Sequence, residues 1–537
     1  MLDLLIRNAL LVDGTGAEAY RADIGIRGEK IVEIASHITQ KAVREMDAEG
    51  LVASPGFIDV HTHDDLVLCN DPYNMPKLTQ GVTTVVVGNC GFGNAPMNPT
   101  FQKELVDYSR PILGREIDNH SFATFADFFH FLDKLPKAQN VACLAAHGPM
   151  YIALQGFNEK PFTAEETSQI CTMTEQAMQN GALGVSFGLM YAPGCNCRQQ
   201  DMMAIAKIVA DYNGIVCIHM KSESDQFEAS LQSAAELSRE CGVKVEISHL
   251  KHVGKNYVGK MASTLSLLEK LQSEGADLSY DMYPYTMGST TMSILFPTEY
   301  LHQGTEWLLE QLQQPEVRQK IASRLKEEWG GEDNLSFLCG WENVLISSVD
   351  TEENRPLLGS NMMDIANEWH MSAEEAMMQL FMQEKGNVAI LLNHVQLEDM
   401  IQTLIFPGVS VISDGLPGAK EPHPRLYGAF PHFLKLFVRE RKLLSLEQAI
   451  YKMTGQPALR YGLDGRGQLV KNAFADIILF DLEHFQDRAT YQQPCQYSEG
   501  LYAVIVNGKL VLENGNQTNS FPGKVIPNKE RRMKKEK

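Results

Sequence analysis

Basic residues are scarce in this sequence of 537 residues. It has 47 Lys and Arg against 67 Asp and Glu, which gives a net charge of −20. This deficit argues against nucleic-acid binding and against binding to anionic membranes, because both depend on a broad basic surface. Hydrophobic residues make up 44% and charged residues 21% of the chain. These fractions are typical of a globular protein and not of a disordered chain.

Long hydrophobic runs and dense cysteines are also lacking. No apolar run approaches the roughly 18 residues that a membrane-spanning helix needs. The first residues, MLDLLIRNALLVDG, carry Asp3 and Arg7 within their apolar stretch, unlike a secretion signal. Ten cysteines are too few and too irregularly spaced for a disulfide framework. We therefore expect a cytoplasmic protein with no membrane span, whose cysteines are mostly buried thiols.

Patterns typical of short β-strands occupy both ends of the chain. Leu4 to Ala35 contains several such pieces, and Asn507-Gly508 is a strong hairpin signal near the other end. Since chain termini often lie close together, we predict that residues 1–55 and 468–526 form one small β-sandwich domain. Residues 527–537 hold six Lys and Arg and two Glu. They are interpreted as a basic, solvated tail to which no function is assigned.

The central part, residues 56–467, alternates short apolar runs with helical patterns. One of the helices begins with the capping box Thr163-Ala-Glu-Glu166. Eight candidate strands with helical crossovers predict an α/β fold, a (β/α)₈ TIM-like barrel. The candidate strands are residues 56–61, 83–88, 141–146, 183–189, 215–219, 244–248, 277–283 and 409–414. Residues from about 285 to 408 are too many for one crossover, so we predict a helical insertion after strand seven that covers the barrel mouth.

Residues of types that commonly bind metals follow these strands, where a barrel of this kind carries its functional residues. They are His61, His63, Cys90, His147, His219, His249 and Asp414. Imidazole, thiolate and carboxylate together suit Zn²⁺ better than Mg²⁺ or Ca²⁺, which prefer oxygen ligands. A single such histidine is more often a hydrogen-bonded core residue, and a single free cysteine a small buried hydrophobe. Their recurrence at successive strand ends favours a zinc site, beside which Asp414 could carry protons.

Longer motifs accompany these residues over nearly the whole chain. They are PGFIDVHTHDD at 55–65, GVTTVVVGNCG at 81–91, GALGVSFGLMYAPG at 181–194, IHMKSE at 218–223, ISHLK at 247–251, DMYPYTMGST at 281–290, SDG at 413–415, HPRLYGAFP at 423–431 and MTGQPALRYGLDGRG at 453–467. With them the sequence resembles the D-aminoacylase (N-acyl-D-amino-acid deacylase) family of the amidohydrolase superfamily. Many amidohydrolases bridge two metals with a carboxylated Lys on strand four, which residues 183–191 lack. The D-aminoacylase branch uses a Cys on strand two instead, and Cys90 matches it.

The resemblance implies a role for each matching residue. It implies a tightly held Zn²⁺ on Cys90, His219 and His249, and a possible second, weaker site on His61 and His63 that shares Cys90. Asp414 would be the general base and then the general acid. Five further residues fall on motif positions that resemble the family's substrate contacts. They are Tyr191, Lys251, Tyr283, Ser289 and Arg425.

Two departures from the family pattern bear on the substrate. Leu250 stands between His249 and Lys251, where relatives often have a second His. The stretch Ser289-Thr-Thr-Met292 contains no Arg, which relatives that act on acidic substrates are expected to have there. Together these departures favour a neutral or apolar D-amino-acid side chain.

The resemblance thus implies a metal-dependent amidohydrolase that hydrolyses N-acyl-D-amino acids to a carboxylate and a free D-amino acid. Metal-bound hydroxide would attack the amide carbonyl, with Asp414 as base and then acid. The expected partner is this small-molecule substrate, and neither nucleic acid nor membrane; the sequence predicts no oligomeric state. The alternative within the same fold is a cyclic amidase of the dihydroorotase or hydantoinase type.

Two other classes of protein are alternative hypotheses: a nicotinamide-dependent oxidoreductase and a non-catalytic binding scaffold. Gly14-Thr-Gly-Ala-Glu-Ala19 fits the dinucleotide-binding pattern of an oxidoreductase, but that pattern requires a helix to follow it, and residues 20–26 are typical of a strand. A non-catalytic binding scaffold would also retain the barrel. The complete set of metal and base positions argues against a scaffold.

Overall fold

A computed structural model describes residues 1–529, and eight parallel strands form the barrel at its centre. The third strand is interrupted after Cys143. The strands are Phe57–Asp59, Val82–Val87, Asn140–Cys143 with Ala145–Ala146, Gly184–Gly188, Ile215–His219, Lys244–Ile247, Leu278–Met282 and Val409–Val411. Neighbouring strands pair in parallel in chain order. The amide of Asp414 donates to the carbonyl of His61 at 2.9 Å, which closes strand eight onto strand one.

The predicted barrel fold is therefore confirmed. Its strands are short apolar runs that are buried on both faces, as parallel strands covered by helices must be. The helix Ala164–Gln179 begins with the expected capping box at Thr163. The helices of the barrel layer are Met75–Leu78, Gln102–Leu113, Phe125–Lys134, His147–Gln155, Ala164–Gln179, Gln199–Asp211, Phe227–Cys241, Met261–Ser273, Leu397–Ile405, Arg425–Phe433, Leu446–Met453 and Gly455–Arg460.

Strands from both ends of the chain form one nine-stranded mixed sheet. The two ends meet where Ile477–Phe480 pairs antiparallel with Val52–Pro55. The sheet surrounds its own hydrophobic cluster, to which Ile6, Ile24 and Leu479 belong. Its strands are Leu2–Leu11, Tyr20–Arg27, Lys30–Ala35, Ala42–Asp47, Val52–Pro55, Ile477–Phe480, Leu501–Val506, Lys509–Glu513 and Asn516–Gln517. Of the predicted basic tail, residues 530–537 lie outside the described residues.

The dinucleotide-binding pattern near the start of the chain does not have the structure that it requires. Gly14 to Ala19 leads into the strand Tyr20–Arg27, and not into the helix that a dinucleotide-binding pattern requires.

Between residues 1 and 529, no helix combines the length and the apolar character that a bilayer span demands.

The insertion between barrel strands seven and eight has its own hydrophobic core. Its helices are Gly304–Gln311, Pro315–Arg324, Leu335–Cys339, Met362–Glu368 and Ala373–Gln383. It is not only helical, because Met287–Thr291, Ala389–Asn393 and Val344–Ser348 form an antiparallel sheet. This sheet was not predicted from the sequence, because two of its three strands contain serine or threonine. The apolar strand Ala389–Asn393 lies in its middle.

Candidate metal centre

Three soft donors meet at the carboxyl ends of barrel strands two, five and six. The Cys90 sulfur and the ring nitrogens of His219 and His249 lie within 4.8 Å of one another, and all three residues are buried. Cys90 Sγ is 3.7 Å from His249 Nε2. Because a metal ion lies about 2.0–2.3 Å from nitrogen and sulfur ligands, donors at these mutual separations can share one ion.

A second group of donors shares the same cysteine. His61, His63 and Cys90 also offer ligand atoms within 4.8 Å of one another, and His61 Nε2 is 3.1 Å from Cys90 Sγ. Asp414 lies beside this group, with Oδ1 3.4 Å from Nε2 of both His61 and His63. Cys90 therefore stands between two sets of imidazoles.

The backbone takes an uncommon conformation at three of these residues. Cys90, His249 and Asp414 have φ angles of 52°, 37° and 47°, in the left-handed region that non-glycine residues rarely adopt. A Cβ on Gly188 would lie 2.1 Å from the carbonyl oxygen of Cys90, so only glycine allows this close approach. Strained backbone of this kind is concentrated at functional sites, where the surrounding fold enforces it.

The charges at the centre suit a metal ion. Burial opposes ionisation of Cys90, but the facing imidazoles, His61 foremost, hold the pKa of its thiol well below the usual value. The thiolate is the form of cysteine that binds metals. Burial, reinforced by His249, lowers the pKa of His219 and keeps its ring neutral. Within the described part of the chain, both ring nitrogens of His219 are buried and lack a hydrogen-bond partner. An imidazole with no partner beside a thiolate fits a soft divalent ion such as Zn²⁺.

Two buried carboxylates contact histidines of these donor groups. Asp281 Oδ2 is 3.2 Å from His61 Nδ1, and its other oxygen accepts a hydrogen bond from the backbone amide of His249 at 2.5 Å. Glu223 Oε1 is 3.1 Å from His249 Nδ1. Carboxylates that hydrogen-bond the second nitrogen of a ligand histidine fix its orientation. Neither residue was predicted from the sequence to be functional, although both lie within the motifs at 218–223 and 281–290.

Arg425 holds the predicted base. Its Nη2 is 2.9 Å from Asp414 Oδ2, and the side chain is only 1% exposed. Burial would raise the pKa of Asp414, but the Arg425 guanidinium and His61 hold it well below its usual value, so the carboxylate is ionised. The Nε and Nη1 groups of Arg425 find no hydrogen-bond acceptor among residues 1–529. Two buried N–H groups beside an ionised base are therefore available to a ligand.

The five predicted substrate contacts, Tyr191, Lys251, Tyr283, Ser289 and Arg425, all line one cavity next to the donors. The Tyr191 hydroxyl is 3.0 Å from Thr290 Oγ1. The Arg425 guanidinium lies 4.4 Å from the centre of the Tyr283 ring. Lys251 is already paired within the chain, because its Nζ is 2.6 Å from Glu223. Arg425 is thus the better placed of the two cations for a ligand carboxylate.

His147 does not join the centre, although it follows barrel strand three. It is the first residue of the helix His147–Gln155, and its buried ring lies 4.8 Å from the ring of Phe187. It belongs to none of the donor groups found between residues 1 and 529. The expectation of a functional side chain at this strand end is not supported.

Lys77 is a further residue that the sequence analysis missed. Its fully buried Nζ is 2.8 Å from Asp59 and 3.3 Å from Asp64. It also donates to Thr62 Oγ1 and Ser413 Oγ, each at 2.6 Å. Since Thr62 stands between His61 and His63, and Ser413 precedes Asp414, this ammonium group fixes both segments to each other.

Comparison with known proteins identifies the family. The sequence profile of the amidohydrolase family matches residues 44–187 and 368–512. The chain is 33% identical over 527 residues to the D-aminoacylase of Alcaligenes xylosoxydans xylosoxydans, covering 98% of this chain and 97% of the relative. It is 32% identical to the N-acyl-D-glutamate deacylase of the same organism, covering 98% and 96%.

A solved structure agrees with this assignment. N-acyl-D-glutamate deacylase from Bordetella bronchiseptica, complexed with zinc and a phosphonate inhibitor, matches with a TM-score of 0.84 and 29% identity, covering 98% of this chain and 99% of that one. The similarity thus extends over sequence and fold alike. The chain belongs to the amidohydrolase superfamily and, within it, to the D-aminoacylase family.

Proposed function

We propose that this protein is a metal-dependent hydrolase that cleaves the amide bond of N-acyl-D-amino acids, yielding a carboxylate and a free D-amino acid. One observation carries the proposal: the soft donor set around Cys90 adjoins the ionised base Asp414, whose partner Arg425 has two free, buried N–H groups. A guanidinium that can bind a carboxylate, placed beside a metal centre, suits a substrate with a free carboxyl group. Similarity to deacylases over nearly the whole chain supports a linear amide as the substrate.

We propose Zn²⁺ as the metal, held tightly by Cys90, His219 and His249. A second, weaker site would use His61 and His63 and share Cys90. One thiolate and two imidazoles form a donor set typical of zinc. When bound, the metal would supply Lewis-acid activation of water and of the amide carbonyl.

Asp414 would move the proton. Its Oδ1 faces the ligand histidines, while Arg425 holds its Oδ2. In this orientation Oδ1 can take a proton from the attacking water and later give it to the departing nitrogen. The same proton then leaves with the D-amino acid, so one carboxylate serves as base and as acid.

Arg425 would bind the α-carboxylate of the substrate through Nε or Nη1, the donors that Asp414 leaves free. These two donors lie on different edges of the planar guanidinium, so each would give one charge-assisted hydrogen bond. Tyr283 and Ser289 lie beside it, and Tyr191 lines the same cavity. Lys251, paired with Glu223, would add positive charge at this end.

A substrate panel tests the proposal. N-acetyl-D-methionine, its L-enantiomer and other N-acyl-D- and L-amino acids are assayed beside dihydroorotate and a hydantoin, with zinc quantified in the same sample. We expect turnover of the N-acyl-D-amino acids by zinc-containing protein. Turnover of only the cyclic amides would favour the cyclic amidase, and absence of any turnover by zinc-loaded protein would favour a non-catalytic scaffold.

A cytoplasmic location is part of the same proposal. Within the described residues, all ten cysteines are free thiols, which suits a reducing compartment. Cell fractionation against a periplasmic marker enzyme tests this location.

A further inference from the structure

His394 extends from the insertion into the wall of the active-site cavity. It follows the strand Ala389–Asn393, and it lines the cavity together with Gly288 and Arg425. Both ring nitrogens are inaccessible to solvent, and neither has a hydrogen-bond partner in residues 1–529. The backbone of Leu392 lies near enough to the ring to raise its pKa slightly against the effect of burial, but it meets hydrogen-bond geometry with neither nitrogen. A donor and an acceptor are thus buried here without being used.

Gly288 makes room for this ring. Its strand, Met287–Thr291, pairs with the strand that precedes His394, with Gly288 opposite Leu392. A Cβ on Gly288 would lie 2.3 Å from Cε1 and 3.1 Å from Nε2 of His394. The imidazole therefore occupies the space that a side chain would fill at position 288, which fixes it against the strand that carries Ser289.

The ring is neutral at physiological pH. Burial, reinforced by the nearby Lys251 ammonium, lowers the pKa of His394 to about 3. A neutral imidazole has one N–H donor and one nitrogen acceptor. Apolar side chains of Val253, Leu335 and Leu392 line the same cavity, together with its polar and charged residues. In such a pocket a few precisely placed polar groups select the ligand.

We propose that His394 hydrogen-bonds the side chain of the D-amino acid and selects neutral, hydrogen-bonding side chains over apolar ones of the same shape. This inference rests on the proposed function. The side chain branches from the carbon that bears the α-carboxylate, and Gly288 and Arg425 line the same part of the cavity. A hydroxyl or a carboxamide both donates and accepts, so it suits whichever ring nitrogen faces it. A cationic side chain is disfavoured because Lys251 and Arg425 already supply positive charge.

Isosteric substrate pairs test the selection. The kcat/KM of N-acetyl-D-asparagine is compared with that of N-acetyl-D-leucine, and N-acetyl-D-threonine with N-acetyl-D-valine. We expect the wild-type protein to prefer the polar member of each pair by about tenfold or more, since a substrate without the polar group leaves the buried nitrogens unpaired. His394→Phe should reduce each ratio to about one while the leucine substrate is still hydrolysed.

Two further variants distinguish the loss of the His394 contact from general damage to the fold. Gly288→Ala should displace the imidazole and reduce the ratios in the same direction. His130→Phe, at an exposed histidine of the helix Phe125–Lys134, should leave both ratios unchanged. Equal kcat/KM within each pair for the wild-type protein, or ratios that survive His394→Phe, would overturn the role of His394 while leaving the deacylase assignment intact. Absence of turnover with every N-acyl-D-amino acid would instead overturn the proposed function and this role with it.

Discussion

The guanidinium of Arg425 lies 2.9 Å from the carboxylate of Asp414. Arg425 begins the helix Arg425–Phe433, and Asp414 follows barrel strand eight, so ten residues separate them in the chain. The contact leaves Nε and Nη1 of Arg425 free of partners in the described chain. One side chain therefore both orients the base and offers hydrogen bonds to a substrate carboxylate.

Arg425→Lys should impair substrate binding and turnover together. Lysine retains the charge beside Asp414 but lacks the fixed, planar donors with which Arg425 can contact Asp414 and a substrate carboxylate at the same time. We expect kcat/KM to fall by about 100-fold, with a clear rise in KM. Arg198→Lys is the matched control, because Arg198 pairs with Asp201 outside the centre. An unchanged KM in Arg425→Lys would contradict the role of Arg425.

Asp414→Asn should remove turnover without removing metal. The amide has nearly the same shape as the carboxylate but cannot accept the proton, so we expect a loss of about 10²–10⁴-fold in kcat. Zinc content, measured on the same preparation, should stay at the wild-type level because Cys90, His219 and His249 are untouched. Retained activity would exclude Asp414 as the base, and lost zinc would show it to be a ligand.

The two donor groups should differ in affinity. His219→Ala removes a donor from the group with a buried, unpartnered imidazole and should abolish tight zinc binding. His63→Ala should retain about one zinc per chain, because the group of Cys90, His219 and His249 remains complete. Zinc per chain after dialysis against a mild chelator measures this difference. Equal losses in both variants would contradict two unequal sites.

Lys77→Met should destabilise the protein strongly. The variant leaves Asp59 and Asp64 buried without their cation, and breaking such a buried pair costs about 3–5 kcal/mol. Lys103→Met is the control, since Lys103 forms exposed ion pairs, which contribute under about 1 kcal/mol. Urea unfolding of both variants gives the comparison. A loss in Lys77→Met no larger than in Lys103→Met would contradict the account of this cluster.

Lys452 should make stability depend on pH. Burial lowers the pKa of its ammonium from 10.5 to about 8. Between pH 8 and 10.5 the unfolded chain therefore binds more protons than the folded one, so this group's contribution to the free energy of unfolding rises with pH. Lys452→Met should stabilise the protein below pH 8 by up to about 3 kcal/mol, less the lost hydrogen bond to the Phe406 carbonyl. This difference in the free energy of unfolding should vanish above pH 10.5. A difference that does not depend on pH would contradict the lowered pKa of Lys452.

The sequence predicted the barrel and the donors because both depend on local pattern. Cys90 and His219 follow short apolar runs, and a parallel barrel brings the ends of such strands to one rim. Lys77 could not be found this way, since a lysine in a polar stretch is normally exposed. Glu223 and His394 are likewise functional candidates only because distant segments pack around them. The pairing of Lys251 with Glu223 likewise depends on the fold.

Zinc K-edge X-ray absorption tests the central claim, a metal held by Cys90, His219 and His249, most directly. On protein loaded with one zinc per chain, we predict one sulfur scatterer at about 2.3 Å and nitrogen scatterers at about 2.0–2.1 Å. The sulfur contribution should disappear in Cys90→Ser. A wild-type spectrum with only nitrogen and oxygen ligands would contradict the claim.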